Sequence, residues 1–306
     1  CDYNTLTMIT IWALLKTMRP RQWAKNVFVF AVVVFDEKLF DAVYLSKTFV
    51  AFILLCFLSS AVYIINDIAD IKKDQLHPKK KFRPIPAGIL SKNVALVAAV
   101  FLLIIAFGGA LLLDTLPHTL APGLFPLALF YFILNVLYSF WLKNVVILDT
   151  LIVAAGFVIR VTAGAVLVDA RRFSPWLYVC VTLLALFIVL GKRRREITLL
   201  ANQADSHRAV LANYNLPFID QMIGVVSTST IIAYSFYTFS AENLPKNHAM
   251  MLTIPFVLYG IFRYLYLIHV KNEGGAPDEL VFKDRPLLFN FVLWGVAAVG
   301  VLYLLK

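Results

Sequence analysis

The chain has 306 residues, of which 61% are hydrophobic and only 15% charged, with a mean hydropathy of +0.80. That balance excludes an ordinary soluble globular domain, and a formal charge of +10 on so apolar a chain is no argument for a nucleic-acid ligand. Cys1, Cys56 and Cys180 have no metal-ligand spacing and the five histidines are scattered, which excludes a disulfide framework and a zinc site.

Apolar runs of about 17 to 25 residues, the length that crosses about 30 Å of hydrocarbon, recur along the whole sequence. In chain order the predicted spans are 22–36, 47–66, 93–113, 120–140, 145–168, 174–191, 218–240, 248–270 and 286–305. The first is the weakest, because "NVFVFAVVVF" is short and follows the charged "KTMRPRQWAKN". No n-region, short h-region and A-x-A site open the chain, so no cleavable signal peptide is expected. The expected fold is an all-α integral membrane bundle of nine transmembrane helices, one domain over residues 1–306. Residues 1–15 form a flexible or amphipathic N-terminal segment.

Nine spans put the termini on opposite sides, and the Lys/Arg distribution then orients the bundle. Twenty basic residues fall on the side of the N-terminus, against five on the other: Lys38, Lys47, Arg171, Arg172 and Lys246. Arg160, Arg263 and Lys306 make up the remainder. The N-terminus and the long loops after spans two, six and eight are therefore expected in the cytoplasm of a multi-pass plasma-membrane protein. Polar chemistry is concentrated on that face, in active-site loops after the second and sixth helices.

The second span runs into "NDIADIKKDQLHPKKKFRPIPAG", Asn66 to Gly88. Asp67, Asp70 and Asp74 are spaced i, i+3, i+7, so a helix continuing past Ile65 places them on one face with Asn66 beside them. Carboxylates stacked at a membrane boundary repel one another unless a cation sits between them, and hard oxygen ligands suit Mg²⁺ bridging to substrate phosphates. Lys79, Lys80, Lys81 and Arg83 follow as cations for further phosphate oxygens. A solvated helix end beside a basic, topology-setting loop is the competing account of the lysines. Pro84, Pro86 and Gly88 then turn the chain back toward the third span.

"NDIADIKKD" followed by "RPIPAG" resembles the first aspartate-rich motif and trailing arginine-proline turn of the UbiA superfamily of intramembrane prenyltransferases. The resemblance implies a nine-helix bundle in which that motif binds Mg²⁺ and a diphosphate at the cytoplasmic mouth of a lipid-facing cavity. It assigns Asn66, Asp67, Asp70 and Asp74 to the metal, with the three aspartates catalytic.

A second acidic motif is expected after span six in such a protein, yet that place reads "LGKRRREITLLANQADSHRA". Lys192, Arg193, Arg194 and Arg195 stand where carboxylates belong, leaving Glu196 and Asp205. Guanidinium groups there mean fewer divalent ions and more direct phosphate contacts, although any one of the four also reads as a topological stop signal. This departure resembles the decaprenyl-phosphate phosphoribosyltransferase branch, as do "RPRQWAKN", "YSFWLKNVVILD", "GFVIRVTAGA" and "APDELVFKDRPLL". "HPKKKF" is a less usual version of its loop. The resemblance implies a water-soluble donor, phosphoribosyl diphosphate, and a lipid acceptor, a polyprenyl phosphate. The donor's 5-phosphate needs a second cationic pocket, for which Lys25, Arg83, Lys143, Lys192, Arg193 and Arg194 are the candidates.

Tyr138 reads either as a phenol touching ribose or phosphate, or as an interfacial aromatic. Arg160 lies inside span five, about 16 Å beyond Asp149 if helical, and must be paired or face a wet cavity. It reads either as a substrate-phosphate ligand or as the partner of a structural acid. Arg263 can snorkel from the end of span eight, and Asp284 caps span nine with Pro286 in its first turn.

The expected reaction is transfer of phosphoribose to the lipid phosphate with release of diphosphate, Mg²⁺ neutralising the leaving group. The product would feed arabinose donors for cell-wall glycans. The partners are donor, lipid and bilayer, without nucleic acid, and homo-oligomerisation is left open. A prenyltransferase acting on an aromatic acceptor is the alternative, and should want the second acidic motif. A transporter of a phosphorylated metabolite is a third reading; it predicts paired charged or broken helices near the midplane, where only Arg160 stands.

Overall fold

Asp41, Ser91, Asn215 and Asp284 each stand directly before an apolar run, and each opens a helix with its side-chain oxygen. They accept the amides of Val43 at 2.9 Å, Val94 at 3.3 Å, Phe218 at 2.9 Å and Leu287 at 2.9 Å. The computed structural model describes residues 3–78, 80–117, 123–170, 174–200, 209–242, 244–274 and 277–305. Cys1, Lys79, Arg171, Arg172, Asp205, Ala276 and Lys306 lie outside the described residues.

Among the described residues the chain is helical without strands: α1 Tyr3–Met18, α2 Ala31–Phe35, α3 Ala42–Ala69, α4 Ile71–Leu76, α5 Lys92–Asp114 and α6 Leu124–Phe140. Then follow α7 Leu148–Leu167, α8 Pro175–Leu200, α9 Leu216–Ser240, α10 Ile254–His269, α11 Pro277–Lys283 and α12 Arg285–Leu304. Seven stretches of helix are long and apolar enough to cross a membrane: α3, α5, α7, α8, α9, α10 with the 3-10 turn before it, and α12. The protein is a multi-pass membrane protein.

Two of the nine expected spans take another form. The run expected at 120–140 is α6, a helix of 17 residues. The run expected at 22–36 is eleven residues of 3-10 helix, Pro20–Phe30, continued by the five-residue α2. The 3-10 geometry rises faster than an α-helix, so the two together cover about 30 Å despite their shortness. They connect opposite ends of the bundle: Arg19 reaches Asp67 at the close of α3, while the Leu39 amide donates to Tyr303 Oη at the far end of α12, 3.1 Å away.

The 3-10 segment packs against α3 and α7, and Gly164 is what permits it. A Cβ on Gly164 would sit 2.1 Å from the Val29 carbonyl oxygen, a backbone atom with no rotamer to escape into. Gly164→Ala is expected to destabilise the bundle by about 1–3 kcal/mol or more, read as a lowered thermal midpoint in detergent. An unchanged midpoint would mean that the segment yields.

α1 covers the N-terminal residues expected to be flexible or amphipathic. It buries Ala13 and Met18 against α3 and α5 while exposing Met8, Ile9, Ile11, Trp12 and Leu15. Lys47, expected in an outer loop, is buried in the first turns of α3 with its ammonium on the Pro117 carbonyl. The "RPIPAG" stretch forms the expected turn. Ala87 N donates to Arg83 O at 2.9 Å and Ile89 N to Pro84 O at 2.9 Å, with Gly88 at φ +76°.

Candidate active site

α3 does not carry its three aspartates on one uninterrupted face. The helix stops at Ala69, Asp70 takes φ −96° and ψ 10° as its cap, and a short new helix, α4, starts at Ile71. The Asn66 carbonyl accepts the Asp70 amide at 3.0 Å in that last turn. The break separates the carboxylates. Asp67 Oδ1 and Asp74 Oδ2 converge on one nitrogen, Arg83 Nη1, at 3.0 and 2.7 Å. Asp70 turns instead to Lys143, whose Nζ donates to both its oxygens at 3.0 and 2.9 Å. Among the described residues no three acidic, His or Cys side chains gather around one point, so the expected cage of three aspartates is reduced to a pair with Asp70 beside it.

That pair still suits the implied metal. Asp67 and Asp74 are buried, and their oxygens already share one positive centre, the guanidinium nitrogen between them. Two hard carboxylate oxygens with water and substrate phosphate completing the shell is the usual way a protein holds Mg²⁺.

The mouth's cations come from distant places. Arg83 follows the break and is joined by Lys80, 3.7 Å from Asp74. Lys143 lies in a 3-10 turn between α6 and α7 and is buried. Arg19, which opens the "RPRQWAKN" stretch but was not among the expected site residues, closes on Asp67 from the junction of α1 with the 3-10 segment. Its sequence signal is Pro20: proline disfavours helical backbone in the residue before it, and a long cation at a helix end can reach across to a neighbour. Lys25 lies half-buried in the 3-10 segment, one residue before Asn26.

The basic "GKRRRE" run sits in the last turns of α8. Lys192 is exposed. Arg193 is buried: it donates to Glu196, forms an ion pair with Asp149 at 2.9 Å, and lies 3.5 Å from Tyr138 Oη. Arg194 is committed to Asp220 at 2.7 Å and the Ile268 carbonyl at 2.9 Å, which ties α8 to α9 and α10. Both arginines therefore brace helices, contacts that stand beside the phosphate role expected of them. Tyr138 is likewise drawn into the brace.

Asp149, a lone acid in the sequence, is the hub of that brace. It stands in the first turn of α7, where a negative charge complements the helix N-terminus. Tyr214 donates to it at 2.7 Å while accepting the Ile147 amide at 2.7 Å. Burial, with the bond to Asp149 adding to it, pushes the Tyr214 phenol up to about 12, so it stays a donor at neutral pH. Ile147 is held at φ +70°, a strained conformation for a β-branched residue, directly beside the mouth.

Arg160 lies deeper. Its Nε donates to Asn26 Oδ1 at 2.7 Å, Nη1 to the Gly156 carbonyl at 2.6 Å and Nη2 to Tyr131 Oη at 2.8 Å. The guanidinium also lies over the Tyr131 ring, 4.9 Å from its centroid. Every one of these partners is neutral, and no carboxylate among the described residues pairs with it, so the structural-acid account of Arg160 does not hold. Asp284 caps α12 as expected, accepting the Leu287 amide, and Arg263, expected to snorkel, instead forms a two-point ion pair with it at 3.1 and 2.8 Å. The Arg263 hydrogen bonds hold the Asp284 carboxyl below its usual range.

These features define a polytopic helical membrane enzyme with carboxylates and guanidinium groups interleaved at one end of the bundle. Residues 26–283 match the model of the UbiA prenyltransferase family, and the chain belongs to that family of transferases. It is 30% identical over 289 residues to a decaprenyl-phosphate phosphoribosyltransferase of Mycobacterium tuberculosis, covering 93% of this chain and 92% of that protein. The protein of the same name from Corynebacterium glutamicum is 29% identical over 298 residues, covering 95% and 87%. The fold also matches a UbiA homolog from Archaeoglobus fulgidus, solved bound to GPP and Mg²⁺, with a TM-score of 0.72 at 16% identity, covering 95% of this chain and 99% of that one.

Proposed function

We propose that the protein transfers 5-phosphoribose from phosphoribosyl diphosphate to a polyprenyl phosphate of decaprenyl type and releases diphosphate. The observation that carries this reading is the run at the end of α8, where Arg193 and Arg194 are built into braces at the place a second acidic motif would occupy. A mouth with one carboxylate pair and many cations is matched to a donor with two separate phosphate groups. The names of the relatives, alike over nearly the whole chain, support the same choice.

In the reaction the bond between ribose C1 and the diphosphate oxygen breaks, and an acceptor phosphate oxygen forms the new bond to C1. Asp67 and Asp74 would hold Mg²⁺ with Asn66 and Asp70 close by, and the ion would supply charge neutralisation of the leaving diphosphate. Arg83 and Lys143 would take donor phosphate oxygens, with Lys25 and Lys192 at the outer rim. Arg160, a buried cation whose protein partners are all neutral, would receive the acceptor phosphate as counter-ion from the membrane side. The acceptor is already an anion near neutral pH, so no general base is needed.

The protein is read as a single transmembrane domain with nine crossings. Its mouth opens to the cytoplasm at the plasma membrane, supported by the Lys/Arg asymmetry. The lipid-linked phosphoribose would supply cell-wall glycan synthesis. The test is to incubate purified protein with Mg²⁺, radiolabelled phosphoribosyl diphosphate and decaprenyl phosphate, then extract into organic solvent. Label in the lipid phase is expected. Absence of label there, together with transfer from a prenyl diphosphate to an aromatic acid, would replace this reading with ordinary prenyl transfer.

A further inference from the structure

The carboxylates of the mouth are closed. Arg83 Nη1 holds Asp67 and Asp74 together, Arg19 closes on the same Asp67 oxygen, Lys80 stands 3.7 Å from Asp74, and Lys143 occupies Asp70. A divalent ion arriving alone at Asp67 and Asp74 would meet two guanidinium groups at ion-pair distance, and like charges at such range oppose binding.

The closure is uneven. The side chains of Asp67 and Asp74 are 2% and 4% exposed, whereas those of Arg19 and Arg83 are 26% and 29% exposed. The acids are held in the interior and the arginines are partly exposed, which leaves their side chains room to move. Arg19 has a second resting contact, its guanidinium lying 4.8 Å from the centroid of the Tyr63 ring. Its backbone is left-handed at φ 56° and ψ 62°, a conformation that costs a non-glycine residue about 1–2 kcal/mol. That cost is sustained at the one residue whose side chain closes the Asp67 carboxylate from across the bundle.

We propose that Arg19 and Arg83 are placeholders for the metal. Without donor they neutralise Asp67 and Asp74; when donor diphosphate enters, their forks transfer to its oxygens, which suit a guanidinium as well as carboxylate does, and the vacated acids take the divalent ion. Metal and diphosphate then bind as mutually dependent ligands, and by linkage each strengthens the other equally. This rests on the reading of the donor as a diphosphate ester, and it adds Arg19 to the donor site.

The test uses the full chain in lipid nanodiscs and Mn²⁺ as a spectroscopic probe of metal binding, with no turnover involved. The expected result is that Arg83→Gln binds Mn²⁺ alone about tenfold or more tightly than the wild type, within the ordinary range of coupling between sites. It should at the same time bind phosphoribosyl diphosphate more weakly at fixed Mn²⁺. Arg19→Gln should shift both in the same directions by less, because it frees only Asp67. Arg19→Gln also keeps the test decisive should Arg83→Gln fail to fold. Mn²⁺ affinity unchanged or weaker in the folded variants would overturn the placeholder role. If the wild type takes up no phosphoribosyl diphosphate but binds geranyl diphosphate, and the variants show the same opposed shifts, the placeholder role stands and the donor assignment falls.

Discussion

Asp67→Asn is expected to lower phosphoribosyl transfer by about 10²–10³-fold, the scale on which loss of one preorganised charge contact to a developing anion is felt. The side chain is buried and its Oδ1 is the meeting point of Arg19 and Arg83, so the substitution removes charge where metal, donor and both arginines converge. The amide has nearly the same shape and keeps an oxygen for one guanidinium, which leaves the helix end formed and the protein monodisperse. Asp74→Asn should behave alike, because its Oδ2 is the other half of the pair. Asp70→Ala should also abolish transfer, through a different partner: it strands the buried ammonium of Lys143. Initial rates at saturating lipid, with the thermal midpoint as control for folding, check all three. A folded Asp67→Asn protein within tenfold of wild-type rate would remove Asp67 from the metal site.

Local chemistry was legible in the sequence and long-range pairing was not. The turn at "RPIPAG" and the cap at Asp284 are decided by residues within one turn of each other, and both formed as read. The break at Asp70 is a backbone event inside a charged run that also supports continuous helix, so the i, i+3, i+7 spacing placed on one face three carboxylates that the fold separates. Periodicity was equally mute over Pro20–Phe30, where an apolar run gives no means of telling a period of 3.0 from 3.6. Arg19 meets Asp67 across 48 positions and Arg160 meets Asn26 across 134, and no window joins them. The basic motif at the end of α8 was correctly seen as a departure. Its bracing contacts could not be read there, because their acids, Asp149 and Asp220, lie on other helices.

The buried pair of Arg193 with Asp149 carries a stability effect of its own. Asp149→Ala is expected to cost about 1–3 kcal/mol, because Arg193 loses one of its two acids but keeps Glu196, while Tyr214 is left without its acceptor. Asp149 is fully buried and Arg193 nearly so; the pair is a 2.9 Å charge contact rather than an aligned hydrogen bond, so its worth is electrostatic. Tyr214 would lose its acceptor too, loosening the strained start of α7 at Ile147. Adding Arg193→Met should restore most of the thermal midpoint, since an apolar side chain in that place has no charge to strand. The double variant also decides what Arg193 does. A brace that only fixes the helix ends would let transfer recover along with the midpoint. A recovered midpoint with donor KM still raised tenfold or more would put Arg193 in contact with the donor, as the basic run first suggested.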